Sequence, residues 1–300
     1  MLKAIQELLK GTFLEAANII ELAIPRSTDT AIAIAVTSEN KLQAWQLLRN
    51  HLDRTQRYPV ITTCWGYNPS LAWDKSIIAA DLFSRFYFDE EYQEKRSPEK
   101  IISEADIYSS DDLELFLTSR ANRFNYHSEE ELIAELEKTK ADFGIAPLIS
   151  EIKESTEVPT ILDIERYLFN WEQSQSLEPK IYLSYQDWYE PIDQDIALVL
   201  LPNPDSWNAL AYLSWYGGSK NAIPLIEKWH RDYGAELVCH YGTMLQFFVE
   251  RPPANSEVAF DLAWEQVALA ECTTLLSGVS IRNHARALLK LDRWFLHERP

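Results

Sequence analysis

Apolar positions along the chain recur with two periods, and each period predicts a type of element. Residues 2–10 and 13–23 carry apolar side chains three and four apart, which predicts two short amphipathic helices. Thr12 and Glu15 have capping-box spacing, and Pro25 ends the second helix. Two apolar runs of β character follow, at 31–37 and 58–65, with Pro59 tolerable at the start of a strand. Between them Leu42, Trp45, Leu48 and Leu52 mark one face of a helix from Asn40 to about Thr55. Strand, helix and strand in that order predict a β-α-β unit with parallel strands and a right-handed crossover.

Ser70 starts a further predicted helix that runs to about Phe86. Residues 89–180 read as short helices between polar loops. Ser97-Pro98 places proline at a first helical position, and Ser128 with Glu131 forms a capping box on a helix stopped near Gly144. Thr160 with Asp163 starts another, carrying Leu162, Tyr167, Leu168 and Trp171. In the last third, 196–201 (IALVLL) is a buried strand, and Ser206 caps a short apolar segment that Gly217-Gly218 stops. A helix from Pro224 to Tyr233 stops at Gly234. Residues 235–241 and 244–250 form a hairpin about Gly242, and Arg251-Pro252-Pro253 blocks further pairing. A long helix runs from Ser256 to about Glu271, and a final one covers about 281–291. The chain therefore reads as α+β: an N-terminal β-α-β unit at 1–88, a mainly helical segment at 89–180, and a C-terminal α/β domain at 181–300. The last has an antiparallel hairpin and two closing helices.

Charge sharpens this division. The formal net charge is −18. Residues 1–88 hold 8 acids and 9 bases, 89–180 hold 23 and 10, and 181–300 hold 15 and 9. Such a field repels nucleic acid and anionic lipid and favours either solubility or a basic protein partner. Three widely spaced cysteines, no secretory leader and no long apolar run point to a cytoplasmic protein that does not cross a membrane.

The last third resembles an uncharacterised bacterial family, the domain of unknown function numbered 4253. The resemblance rests on Leu201-Pro202, Ala211-Tyr212-Leu213, Gly217-Gly218 with Asn221 and Pro224, Trp229, Tyr233-Gly234-Ala235-Glu236-Leu237, Arg251-Pro252-Pro253, Ala263 and Glu265-Gln266. Trp45, Arg49 and Tyr58-Pro59-Val60 are similar to its N-terminal part. It implies a fold and no activity. Polar positions of the family pattern are replaced here, at Gly242-Thr243-Met244-Leu245-Gln246, at Ala270-Glu271-Cys272, at Ser219 or Lys220 and at Ile223. If the relatives use those groups for chemistry, this chain lacks them.

Motifs for chemistry are sparse. There is no P-loop, no G-x-G-x-x-G after a strand and no G-x-S-x-G, so no cofactor is expected. None of the six histidines is paired at i, i+4, and Cys239 and His240, adjacent on a strand, point to opposite faces, so no metal is expected. Two candidate sites remain. One is a crevice at the strand ends, with Ser38, Asn40, Cys64 and Trp65, where an anion could meet a helix N-terminus although Glu39 opposes it. The other is Asn221, Glu236, Glu265 and Gln266, where Glu265 on an apolar helix face is either a buried anchor or a ligand-facing acid. Arg282, Arg286, Lys290 and Arg293 form a cationic stripe on the final helix, either a solvated face or a dock for the acidic middle segment. A non-catalytic protein-interaction module is the expected function, in one version neutralising a basic partner as immunity proteins do by charge complementarity. A ligand-binding protein or enzyme using Asn221, Glu236 and Glu265 is the alternative, and a homo-oligomer is a third reading.

Overall fold

A computed structural model describes residues 1–64, 82–83, 96–121, 129–155, 160–175, 181–191, 195–213, 215 and 218–299. The predicted helix from Ser70, the Ser128–Glu131 capping box, Trp65, Gly217 and the Cys64 side chain lie outside them. The chain forms two compact units whose segments alternate along the sequence. The first holds Met1–Tyr108, Asp187–Arg251 and Arg293–Pro300, and the second holds Ser109–Gln186 and Pro252–Asp292. The fold is α+β, with helices and one mixed sheet.

The sheet lies in the first unit. Its strands are β1 (Ile19–Ala23), β2 (Thr30–Val36), β3 (Tyr58–Cys64), β4 (Asp195–Leu201), β5 (Glu236–His240), β6 (Met244–Phe248) and β7 (Arg293–His297), in the order β1-β2-β4-β3-β5-β6-β7. Numbered along the chain, the described helices of the first unit are α1 (Leu2–Leu9), α2 (Lys41–Arg49), α3 (Leu52–Thr55), α4 (Pro98–Ala105), α9 (Ala209–Tyr212) and α10 (Ser219–Tyr233). Those of the second are α5 (Ser110–Ala121), α6 (Glu129–Phe143), α7 (Ile149–Ser155), α8 (Ile161–Ser174), α11 (Ser256–Leu269), α12 (Cys272–Leu275) and α13 (Ile281–Leu288).

Strand β4 is an interior strand, and every residue from Ile196 to Leu201 is buried. Burial on both faces explains why it reads as an unbroken apolar run rather than an alternation. It also refines the predicted β-α-β unit, whose two strands share one sheet but do not pair with each other. Strands β2 and β3 point the same way, but β4 lies between them, antiparallel to both: Leu198 pairs with Ile34 on one side and Ile61 on the other. The most apolar strand takes the position where neither edge nor face meets water. The parallel pairing is instead β3 with β5, through Ile61–Cys239 and Thr62–His240.

Three expectations are corrected. Residues 13–23 are not a helix: a turn follows α1, and Ile19–Ala23 pairs antiparallel with β2. Long-range pairing of the β-branched Ile19-Ile20 outweighs a helical period only about three turns long. The predicted capping box there closes a turn, in which Gly11 N donates to Glu15 Oε2 (3.0 Å) and Leu14 N to Thr12 Oγ1 (3.2 Å). The helix predicted from Asn40 to Thr55 is two, α2 and α3. The last helix ends at Leu288, and the chain then forms β7.

The hairpin and its stops follow the sequence. Gly234 ends α10 at φ 65°, a left-handed conformation that favours glycine. A Cβ there would meet Glu250 at 2.7 Å. Strands β5 and β6 are antiparallel, with Gly242 in the turn at φ 80°. Strand β7 adds beside β6 and buries Trp294 and Leu296. Trp229 meets Phe247 and Trp294 edge-on, with centroids 6.1 and 6.0 Å apart, a favoured aromatic geometry.

The second unit is helical. Thr160 and Asp163 form the predicted capping box at the start of α8. Ile164 and Leu168 of α8 join Leu132 and Leu136 of α6 and Ile152 of α7 in one apolar cluster. Helix α13 packs on α11 and α8, and all eight of its residues are buried.

Candidate functional site

Total burial of α13 brings Arg282, Asn283, His284 and Arg286 inside the second unit, where each needs partners. Ser280 caps the helix by accepting from Asn283 N (3.3 Å). The Arg282 side chain is 2% exposed and faces carboxylates 2% exposed at Glu165 and 1% at Glu172. Arg282 Nε donates to Glu172 Oε1 (2.8 Å), Nη2 to Thr139 Oγ1 (2.9 Å), and Nη1 to Glu165 and to Glu135 Oε2 (3.4 Å). Its backbone N–H, an orphan donor of the first helical turn, donates to Glu165 Oε2 (3.1 Å). Arg286 Nη2 donates to Glu172 and Nη1 to Asn283 Oδ1 (2.7 Å), and its guanidinium lies 5.3 Å from the Phe169 ring centroid.

The carboxylates come from α6 and α8, within the acidic middle of the sequence. Burial pushes the Glu165 pKa up, and Arg282 beside it opposes the shift. Burial likewise works against the Arg282 charge, but Glu165, Glu172 and Glu135 outweigh it, so the guanidinium stays protonated. Such a cluster is costly to desolvate and costlier to break.

A second polar chain runs through the same helix. Tyr185 Oη is 2.6 Å from His284 Nδ1, and His284 Nε2 is 3.0 Å from Gln266 Oε1. Burial lowers the His284 pKa to about 3, so the ring is neutral. Burial raises the Tyr185 pKa as well, keeping its hydroxyl protonated. The neutral pattern is then Tyr185 donating to Nδ1 and Nε2–H donating to Gln266. It joins two helices and the segment before β4, and moves no proton at neutral pH.

Beside the ionic cluster lies a cleft of about 170 Å³. Trp264, Val267, Leu275 and Ile281 give it apolar walls, while Glu135, Glu165 and Glu271 supply carboxylates and Lys138 an ammonium.

The residues predicted as sites are placed as follows. Asn221 and Glu236 lie in the first unit, Glu265 and Gln266 in the second. Asn221 Oδ1 accepts from Tyr108 Oη (2.9 Å). Glu236 Oε2 accepts from Arg49 Nε (2.6 Å), and its other oxygen from Arg49 Nη2. Glu265 is buried on α11, and Gln266 holds His284. In the predicted crevice Ser38 is exposed, and Asn40 Oδ1 accepts from Thr37 N (2.8 Å). The start of β4 separates the ends of β2 and β3 there, since Ile196 pairs with both Val36 and Thr63. Arg282 and Arg286 meet the acidic segment. Lys290 is exposed after α13, and Arg293, on β7 rather than the helix, pairs with Asp187.

Sequence reasoning passed over Lys41, Glu165, Glu172 and Tyr185. Lys41 is buried, and its Nζ bonds Glu190 Oε2 (2.7 Å) and Tyr189 O (3.3 Å). Glu165 and Glu172 had one legible signal: they sit seven apart on α8, a spacing of two helical turns that places both on one face, the face of Leu168. Burial pushes the Cys239 thiol up to about 12, so it is no nucleophile at neutral pH. Among the described residues no group of three or more His, Cys, Asp or Glu could hold a metal ion, and no helix is long and apolar enough to cross a membrane.

No curated protein and no solved structure matches the chain. Residues 197–297, the region that carries the YGAEL, RPP and EQ residues, match the family described as "Domain of unknown function (DUF4253)".

Proposed function

We propose that this chain is a non-catalytic, cytoplasmic protein-binding module whose acidic second unit engages a basic partner. One observation carries the reading: Arg282, Arg286, Glu165 and Glu172, buried in the second unit, are spent on one another, yet a large negative charge remains. That unit holds 21 acids and 10 bases, a net of −11, against −7 in the larger first unit. Among its acids stand exposed apolar side chains, Leu115 at 69%, Leu148 at 65% and Leu275 at 66%. Charge complementarity with scattered apolar contacts suits a partner steered in by electrostatics. The competing ligand site has less support, because Asn221, Glu236 and Gln266 each hold a structural partner. Affinity capture on the full chain at low and at high salt tests the proposal. A basic protein recovered at low salt and released at high salt is the expected result. No capture, or capture indifferent to salt, overturns it.

A further inference from the structure

The cleft beside the ionic cluster has a composition that selects its occupant. At about 170 Å³ it is smaller than sites for drug-sized ligands, which span roughly 300–1,000 Å³, and is of a size for one side chain. Its walls, Trp264, Val267, Leu275 and Ile281, are apolar, while Glu135 and Glu165 bring carboxylate to it. Three carboxylates, Glu135, Glu165 and Glu172, bond the two guanidinium groups of Arg282 and Arg286. A fourth carboxylate, Glu271, also lines the cleft, and the lining cation is Lys138, which pairs with Glu135 and is 56% exposed. An ion pair held by so exposed and flexible a side chain is weak.

We infer that this cleft is a seat for a lysine or arginine side chain of a protein partner, which takes over the place of Lys138 beside Glu135. The aliphatic stem lies along the apolar walls while the charged head reaches the carboxylates, the arrangement long cationic side chains adopt at mixed surfaces. An anion is repelled by Glu135 and Glu165. An uncharged aliphatic side chain of the same length would bury those carboxylates further without compensating them. The inference rests on the protein-binding reading and names its site.

The test follows the Trp264 indole N–H signal of the ¹⁵N-labelled full chain, assigned with Trp264→Phe, during titration with Nα-acetyl-lysine methylamide. A saturating shift that weakens with salt is expected, and Nα-acetyl-norleucine methylamide, with the same stem and no charge, should bind at least several-fold more weakly. Lys138→Ala, an exposed substitution that leaves the fold intact, should tighten binding several-fold by removing the resident cation. Glu135→Gln should weaken it. Absence of a saturating shift, equal binding of the norleucine compound, or no gain from Lys138→Ala overturns the proposal. If affinity capture recovers one basic protein equally with wild type, Lys138→Ala and Glu135→Gln, the protein-binding reading stands and the cleft is not its seat.

Discussion

The two units share apolar burial and differ in how much charge is buried with it. In the first, β4 is buried from Ile196 to Leu201, and Trp229, Phe247 and Trp294 pack edge to face beyond it. In the second, the apolar cluster of α6, α7 and α8 and buried side chains such as Phe260, Leu262 and Leu288 are accompanied by Arg282 and Arg286, bound among Glu135, Glu165 and Glu172. Apolar burial is non-directional and indifferent to pH. Paired buried charges demand one geometry, and they lose much when one partner goes. The difference teaches where each unit is vulnerable: the first to lost volume, the second to lost charge.

The largest expected effect breaks the second unit. Arg282→Ala leaves Glu165 and Glu172 buried without their main partner, and should cost about 3–5 kcal/mol. Hydrogen exchange should accelerate across α8 and α13 while the β4 amides keep their protection; equal loss in both would erase the comparison. Trp229→Ala is the mirror experiment. It removes a fully buried ring from the first unit and should cost about 3–5 kcal/mol, seen as lost protection in β4–β6.

The next effect concerns pH. The His284 pKa in the folded chain, about 3, lies below its ordinary 6.5. Between those values the unfolded chain binds the proton and the folded chain does not, so stability falls as pH drops from 6.5 towards 3. At pH 5 the loss from this residue is about 2 kcal/mol, from about 1.4 kcal/mol per pH unit. Urea unfolding across that range should show a shallower pH slope for His284→Asn than for wild type. An unchanged slope would mean the ring is not held neutral. The smallest effect is at a cap: Thr160→Ala removes one half of the α8 capping box and should cost about 1 kcal/mol in the same measurement.

How much was legible varied with the range of the interaction. The Thr160–Asp163 box, the Gly234 stop and the hairpin at Gly242 are local, and local chemistry specified them. The β7 alternation, with Trp294 and Leu296 in and Arg293 and His297 half-buried, was also on the page but fell just past a stronger helical pattern. Strand β1 was not legible, because Ile19 and Ile20 are as consistent with a helix until β2 offers its edge. The candidate sites fared similarly. Glu265 as a buried residue could be read from its apolar neighbours, whereas the partners of Asn221 and Glu236, Tyr108 and Arg49, lie 113 and 187 residues away.

The stripe of cations at Arg282, Arg286, Lys290 and Arg293 is the clearest case. Sequence by itself determined that four positive charges recur near the end of the chain, and that acids crowd the middle. It also determined that 196–201 is a buried strand, and it determined the caps and the stops, since each depends on residues within a few positions. Only the tertiary structure decided that the stripe divides, with Arg282 and Arg286 inside among Glu165 and Glu172, Lys290 exposed, and Arg293 on a strand. A charge enters a protein interior only when a counter-charge is already there to receive it, and here the counter-charge to Arg282 comes from a helix 117 residues earlier.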